Sequence, residues 1–383
     1  MKSLSRLAVA IGATVGLSVL ALPTLAGASP PPNGPPFAIG ADHAVFVQTD
    51  NPAGNQIVAY HRNVNGTLVP AGTYPTGGLG GVLNGSAVDH LASQGSLTYD
   101  PIHDLLYAVN AGSNTVSVFS VSGDQLALRQ VVASGGSFPV SIAVHGASVY
   151  VLNGLSANVQ GYVSFFGRLF PLPGSNRSLG ITVPSDTTQF VSTPGQVAFT
   201  PDGSQLVVTT KASGSDIDVF RVGPFGYLAP SPIVNAEVGT VPFAVSFDAV
   251  GHLLVADAGT DALSTYSLAP NGTLGSIATV ATGLSATCWV ASAQGVFFAS
   301  SAGSARVSGF SEQLSGQLGL LGATVTDPGT VDAAPSVGGQ YLYVQTGGTG
   351  TVDEFQVAPG GSLTSIGSVL VPGAAGGEGI VAF

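Results

Sequence analysis

Charge is scarce in this chain. Of its 383 residues, 8% are Asp, Glu, Lys or Arg, against about 25% in typical soluble proteins. Long exposed helices draw on Glu, Lys and Arg for both propensity and solubility, so a helical architecture is excluded. Cysteine occurs once, at Cys288. No intramolecular disulfide can form, and stability must come from burial. Basic residues are few: nine Lys and Arg stand against twenty Asp and Glu, a formal net charge of −11. With no basic cluster, the chain is a poor partner for nucleic acid or an anionic membrane. What is present is 45% hydrophobic residues, 54 Gly and 25 Pro. The apolar residues are spread evenly, the signature of dense sheets joined by tight turns rather than of disorder.

The first thirty residues read as an address. Lys2 and Arg6 form a charged start, Leu7 to Leu22 an apolar core, and Ala26-Gly27-Ala28 a small-residue cleavage site. Pro23 interrupts the apolar run, which is short for a membrane span. The expected organisation is a signal peptide over 1–28, a Pro-rich linker over 29–37 ("SPPPNGPP" lies here) and a folded domain over 38–383. The alternative is a leader retained as an anchor. The expected location is secreted or extracellular, or at the cell envelope, with no transmembrane segment after cleavage. Removal of the leader leaves seven basic side chains against twenty acidic.

The rest of the chain repeats. A turn ending in Leu recurs at Leu68 ("NGTL"), Leu126 ("GDQL"), Leu169 ("FGRL"), Leu228 ("FGYL"), Leu274 ("NGTL"), Leu318 ("SGQL") and Leu363 ("GGSL"), at spacings of 58, 43, 59, 46, 44 and 45 residues. An aromatic strand precedes each turn, as in "VSVFSV", "IDVFRV" and "VDEFQV", and another apolar strand precedes that, as in "LLYAVN", "SVYVLN" and "YLYVQT". Units of about 40 to 50 residues with four short alternating strands are propeller blades. The fold class is all-β: a seven-bladed β-propeller of four-stranded blades, A to D from centre to rim. The chain ends "GEGIVAF", an A-type strand with no B strand after it, while the first copy near Ala44 lacks an A strand. The C-terminal strand is therefore expected to complete the first blade and close the ring.

The candidate site follows from where the copies differ. The two long spacings place insertions at 75–95 and 173–194, both between strand D of one blade and strand A of the next, at the top mouth of the channel. Strand B ends there on Thr49, Asn110, Asn153, Thr210, Asp257, Ser301 and Thr346. Turn capping accounts for such short polar side chains as a group. Charge breaks the pattern at Lys211, Asp257, Asp261 and Arg306, and the inserted loops and inner-strand starts add Asp89, His90, Arg177, Asp186, Gln196 and Glu378. Asn110, Asn153, Gln196, Asp257 and Glu378 are the candidate ligand-binding residues. The six histidines show no metal-ligand spacing, so neither a metal nor a cofactor is assigned. His103 and His252 fall in A–B turns on the opposite face, where solvent exposure is expected. Cys288, beside Trp289, is read as a small core residue.

The strand end "YVLN" (Tyr150–Asn153), the turn "FTPDG" (Phe199–Gly203) and the seven-fold repeat resemble the seven-bladed lactonase family. That family comprises 6-phosphogluconolactonase-type enzymes and carboxymuconate cyclases, with the YVTN-repeat propellers nearby. The resemblance spans about residues 40 to 383. It implies the propeller and a charged site around the channel. The family's enzymic motifs are not matched: Gly195 and Gln196 stand where Arg and His would be, Thr210 and Lys211 where Asn and Glu would be, and Pro139-Val140 replaces Pro-His. The expected function is thus a binding module for a small molecule, carbohydrate or protein at the top face, monomeric and without lactonase catalysis. The alternative is a secreted lactone hydrolase or muconate-type cyclase with a remodelled channel. Opening a lactone needs a base and a group that stabilises the oxyanion. Asp89 with His90 could supply the base, and Lys211 or Arg306 the cation.

Overall fold

The computed structural model describes residues 43–383; the expected leader and linker, 1–28 and 29–37, lie outside the described residues. Period-2 patterning produces seven antiparallel sheets. Blade one combines Ile380–Ala382 with Ala44–Gln48, Gln56–Arg62 and Leu68–Pro75. The inner strands A of blades two to seven are Leu97–Asp100, Pro139–His145, Val197–Phe199, Pro242–Phe247, Thr287–Ala293 and Thr330–Pro335. Blade three carries one extra piece: Arg177–Ser178 pairs with the same strand C that holds Arg168–Pro171. Inner strands of neighbouring blades pack together around the ring, except that the inner strand of blade five meets strand B of blade four, and the C-terminal strand contacts both blade seven and blade two, so the ring is closed. The expected closure is observed in register, Val45 opposite Ala382, Phe46 opposite Val381 and Val47 opposite Ile380. No helix among the described residues is long and apolar enough to cross a membrane.

Strands B are buried on both faces, as expected for strands packed between two neighbouring blades: Leu105–Asn110 and Tyr341–Thr346 are buried at every position. Aromatic residues fill the wedges between blades, and the hydroxyls of three buried tyrosines find partners there. Tyr60 Oη donates to the Leu370 carbonyl (2.8 Å), Tyr150 to Gly226 (2.8 Å) and Tyr343 to Gly66 (2.7 Å), each across a blade boundary. The B–C turns share one backbone device. Asn114, Ala157, Ser215, Asp261 and Ala305 are left-handed, with φ between 46° and 55°, just before or at the start of strand C. Asn114 and Asp261 earn this position through side-chain bonds to the next blade, to the Phe138 amide (2.7 Å) and the Thr287 amide (3.1 Å). Cys288 is buried in strand A of blade six, as expected, and burial pushes its thiol up, away from reactivity.

Candidate functional site at the mouth of the channel

The first long connection crosses the channel. His90 N–H donates to the Gly376 carbonyl of the segment leading into blade one (2.7 Å). Ser93 Oγ donates to the Val140 carbonyl in blade three (2.8 Å), and the Gln94 amide to the Gly195 carbonyl before blade four (3.2 Å). Trp289 Nε1 of blade six donates to the Ser93 carbonyl (2.7 Å), while the Gln94 side chain bonds both backbone groups of Val290, at 3.0 and 2.9 Å. A single segment can reach blades one, three, four and six only by lying over the hole they surround. Two close approaches seat it: a Cβ on Gly347 would lie 1.8 Å from the Val88 carbonyl oxygen, and one on Gly376 2.0 Å from His90 Nε2.

The second long connection locks the first. The short helix Gln189–Ser192 offers Gln189 Oε1 to the Asn84 amide (3.0 Å), and Asn84 accepts from the Phe190 amide (3.3 Å) and donates to the Ser185 carbonyl (3.0 Å). Arg177 turns the other way, its guanidinium donating to the Leu228 and Ala229 carbonyls at the rim (2.9 Å each).

Beneath the crossing segment sits a buried charged hub. Glu378 is fully buried; its Oε2 accepts the Ser93 amide (3.0 Å), its Oε1 lies in hydrogen-bond contact with the Ser93 hydroxyl oxygen, and its own amide donates to Asp50 Oδ2 (2.8 Å). Burial first, then the adjacent Asp89 charge and hydrogen bond, hold Glu378 well above the carboxylate range. Burial also raises Asp89, opposed by its bond to Glu378, by the Ala92 and Leu91 amides and by the Lys211 charge. Burial thus disfavours two negative charges side by side on this pair, and the Lys211 charge relieves that chiefly at Asp89. Two further carboxyls complete the hub. Burial pushes Asp50 and Asp332 up to about 7 each. Asp50 is bonded to Glu378 and Gln48, and Asp332 Oδ1 accepts the Ala333 amide (2.9 Å).

Lys211 is the hub's cation. It has no solvent exposure, and its ammonium donates to the Ala92 and Phe190 carbonyls (2.5 and 2.7 Å) and to Thr193 Oγ1 (3.0 Å), over the Phe243 ring (5.0 Å from the centroid). Burial lowers it to about 8, partly offset by the Asp89 charge. All three of its donors are spent on the two long connections. Lys211 thus ties both to blade four.

The remaining sequence candidates disperse. Asn110 bonds Thr115 (3.1 Å), Ser117 (2.8 Å) and Asn55 (3.1 Å), stitching blade two to blade one. Asn153 Nδ2 donates to the Ser134 carbonyl (3.1 Å), and Gln196 Oε1 accepts the Val245 amide of blade five (2.6 Å). Asp257 accepts from Ser264 (2.5 Å) and is pushed by burial up to about 7. Arg306 opens strand C of blade six and makes no hydrogen bond or ion pair to the hub. His90 is half-buried, its imidazole lowered by burial, and its Nδ1 lacks a hydrogen-bond partner. Of the named candidates, the fold brings Asp89, His90, Lys211 and Glu378 together. Sequence reasoning missed Asp50 and Asp332. Asp332 carried a readable signal, a charge inside "TVDAAP" where other inner strands read "PVSIAVH" or "PFAVSF".

Below the crossing segment, a pocket of about 350 Å³ opens between the inner strands of blades two, three and four, lined by Thr98, Ile142, Val144, Gln196, Ala198 and neighbours. Neutral side chains dominate it. His145 also lines it, whereas Asp89, His90, Lys211 and Glu378 do not.

With this geometry in hand, likeness to solved structures becomes informative. The chain superposes on a candidate 6-phosphogluconolactonase of Bacteroides fragilis with a TM-score of 0.71 at 18% identity, covering 89% of this chain and 98% of that one. The fold is that of the lactonase-like propellers. The periplasmic gluconolactonase of Pseudomonas aeruginosa matches with a TM-score of 0.69 at 17% identity, over 88% and 98% of the two chains. Virginiamycin B lyase of Staphylococcus aureus matches more loosely, TM-score 0.53 at 9% identity, over 76% and 89%. At such identities the shared property is architecture, and a lyase among lactonase-like propellers shows that this architecture hosts different chemistries. No protein-family profile and no curated protein matches the sequence significantly.

Proposed function

We propose that this protein is an exported, non-catalytic propeller of lactonase-like fold whose top face binds a partner, a protein by preference. The observation carrying this reading is the segment 88–96. It spans the channel, and the acidic and cationic groups that could open a lactone serve to hold it there. A reactive site must present its base and oxyanion donors to a substrate; Lys211 has no free donor, and Glu378 no exposed surface. The top connections carry exposed apolar side chains instead, Leu79 (44%), Val82 (46%), Leu155 (38%) and Val238 (88%), as protein-binding surfaces do. The second reading, a remodelled hydrolase, is favoured by His90 alone, a half-buried imidazole kept neutral with Nδ1 unpartnered.

A lactone assay separates the two. Purified protein mixed with gluconolactone or 6-phosphogluconolactone should show no hydrolysis above the spontaneous rate. Saturable hydrolysis that disappears in His90→Ala would establish the hydrolase instead.

A further inference from the structure

The opposite face carries a second cluster that the mouth does not explain. In the A–B turn of blade five, Asp248 Oδ1 accepts the Val250 and His252 amides (3.0 and 2.7 Å), which aims Oδ2 at His252 Nδ1, 2.7 Å away. From the end of strand C in blade six, Glu312 brings Oε1 to 3.8 Å from the same nitrogen. His252 is not the solvent-exposed residue its turn position suggested; its side chain is 19% exposed, and those of Asp248 and Glu312 are 8% and 6% exposed. Glu312 Oε1 has no hydrogen-bond partner. A carboxylate oxygen buried without a donor is costly, and the group facing it is a second carboxylate with one imidazole. Among the described residues, no other trio of metal-ligating donors converges in this way.

We propose that Asp248 Oδ2, His252 Nδ1 and Glu312 Oε1 bind one divalent cation of the zinc class. The three donor atoms lie within 4.8 Å of one another, and tetrahedral zinc with bonds of about 2.0–2.1 Å requires ligand atoms roughly 3.3 Å apart. The observed 2.7 and 3.8 Å straddle that spacing, so side-chain shifts of about half an ångström set both carboxylates at ligand distance from the imidazole nitrogen. The donor set selects the metal: one nitrogen and two carboxylates suit zinc, whereas calcium takes six to eight oxygens. The Asp248 backbone bonds supply the outer-sphere orientation that ligating carboxylates need. The imidazole binds in its Nε2–H form, the metal replacing the proton between Nδ1 and Oδ2. A fourth position faces a groove of about 330 Å³ lined by Phe247, Val250, Phe297 and Leu314, leaving room for water or a ligand. The site joins blades five and six, so metal binding also clamps that boundary.

Equilibrium dialysis and calorimetry of the full chain with zinc chloride alone test this. One zinc per chain should bind with micromolar affinity or better, raise the melting temperature, and resist competition by millimolar calcium. Glu312→Gln and His252→Ala should each weaken binding at least tenfold, and zinc should no longer raise their melting temperatures. His103→Ala serves as the control, because His103 pairs with Asp100 (2.7 Å) without a third donor; it should bind zinc as wild type does. Absence of saturable one-to-one binding, unchanged affinity in Glu312→Gln and His252→Ala, loss of binding in His103→Ala, or tighter binding of calcium than zinc would each overturn the proposal.

Discussion

Lys211 shows how far one residue's role can depend on its surroundings. In the chain it follows "VVTT" as an isolated charge at a turn, a natural oxyanion-stabilising candidate. In the fold its backbone is left-handed (φ 49°), it is wholly buried, and its ammonium holds the carbonyls of Ala92 and Phe190. A non-glycine residue in this conformation is strained, and the three hydrogen bonds compensate. Lys211→Met keeps the volume but orphans those acceptors and removes the cation nearest the Asp89–Glu378 pair. It should cost about 3–5 kcal/mol, measurable as a large drop in urea midpoint. A midpoint within experimental error of wild type would show that the hub does not need its cation.

At the scale of elements, the segment 83–95 departs most from what its sequence suggests. It has almost no regular structure, yet Leu91, Ala92 and Ser93 are buried. Such a segment depends on partners for its backbone groups, and it finds them in four blades. Gly376→Ala places a methyl group where the His90 ring lies and requires a side chain at φ 79°, so the segment must lift while the blades remain paired. Hydrogen exchange should then accelerate across 88–96 by at least tenfold, with the strand amides of blades two to six unchanged. Uniform acceleration across all blades would mean that the segment is part of the ring's cooperative core rather than a separately released cover.

Over the whole molecule, buried acids outnumber buried cations. Asp50, Asp218, Asp257 and Asp332 are each raised by burial from 3.8 to about 7. The folded chain keeps protons on these groups that the unfolded chain gives up above about pH 4. Their stabilising linkage is therefore complete below that pH and is lost as pH rises through 7. Lys211, lowered to about 8, acts in the opposite sense, but only between about 8 and the 10.5 of a free lysine. The protein should be more stable at pH 5 than at pH 8, seen as a higher urea midpoint at the lower pH. A higher midpoint at pH 8 would mean that these acids are ionised in the folded state.

The repeat made the architecture legible in advance. Blade count, strand order and C-terminal closure all rest on local periodicity, turn residues and the need of every blade to cover its faces, and each of these is written within some 45 consecutive residues. The two long connections could be located in the same way. The contacts of those connections were decided by tertiary structure alone. Asp89 and Glu378 are 289 residues apart, Ser93 and Trp289 are 196 apart, and no local pattern records that ring closure brings them together. The same holds for His252 and Glu312, which meet only because blades five and six are neighbours. Sequence determined the scaffold, because scaffold contacts recur; folding decided which unrepeated side chains share a volume, because those contacts occur once.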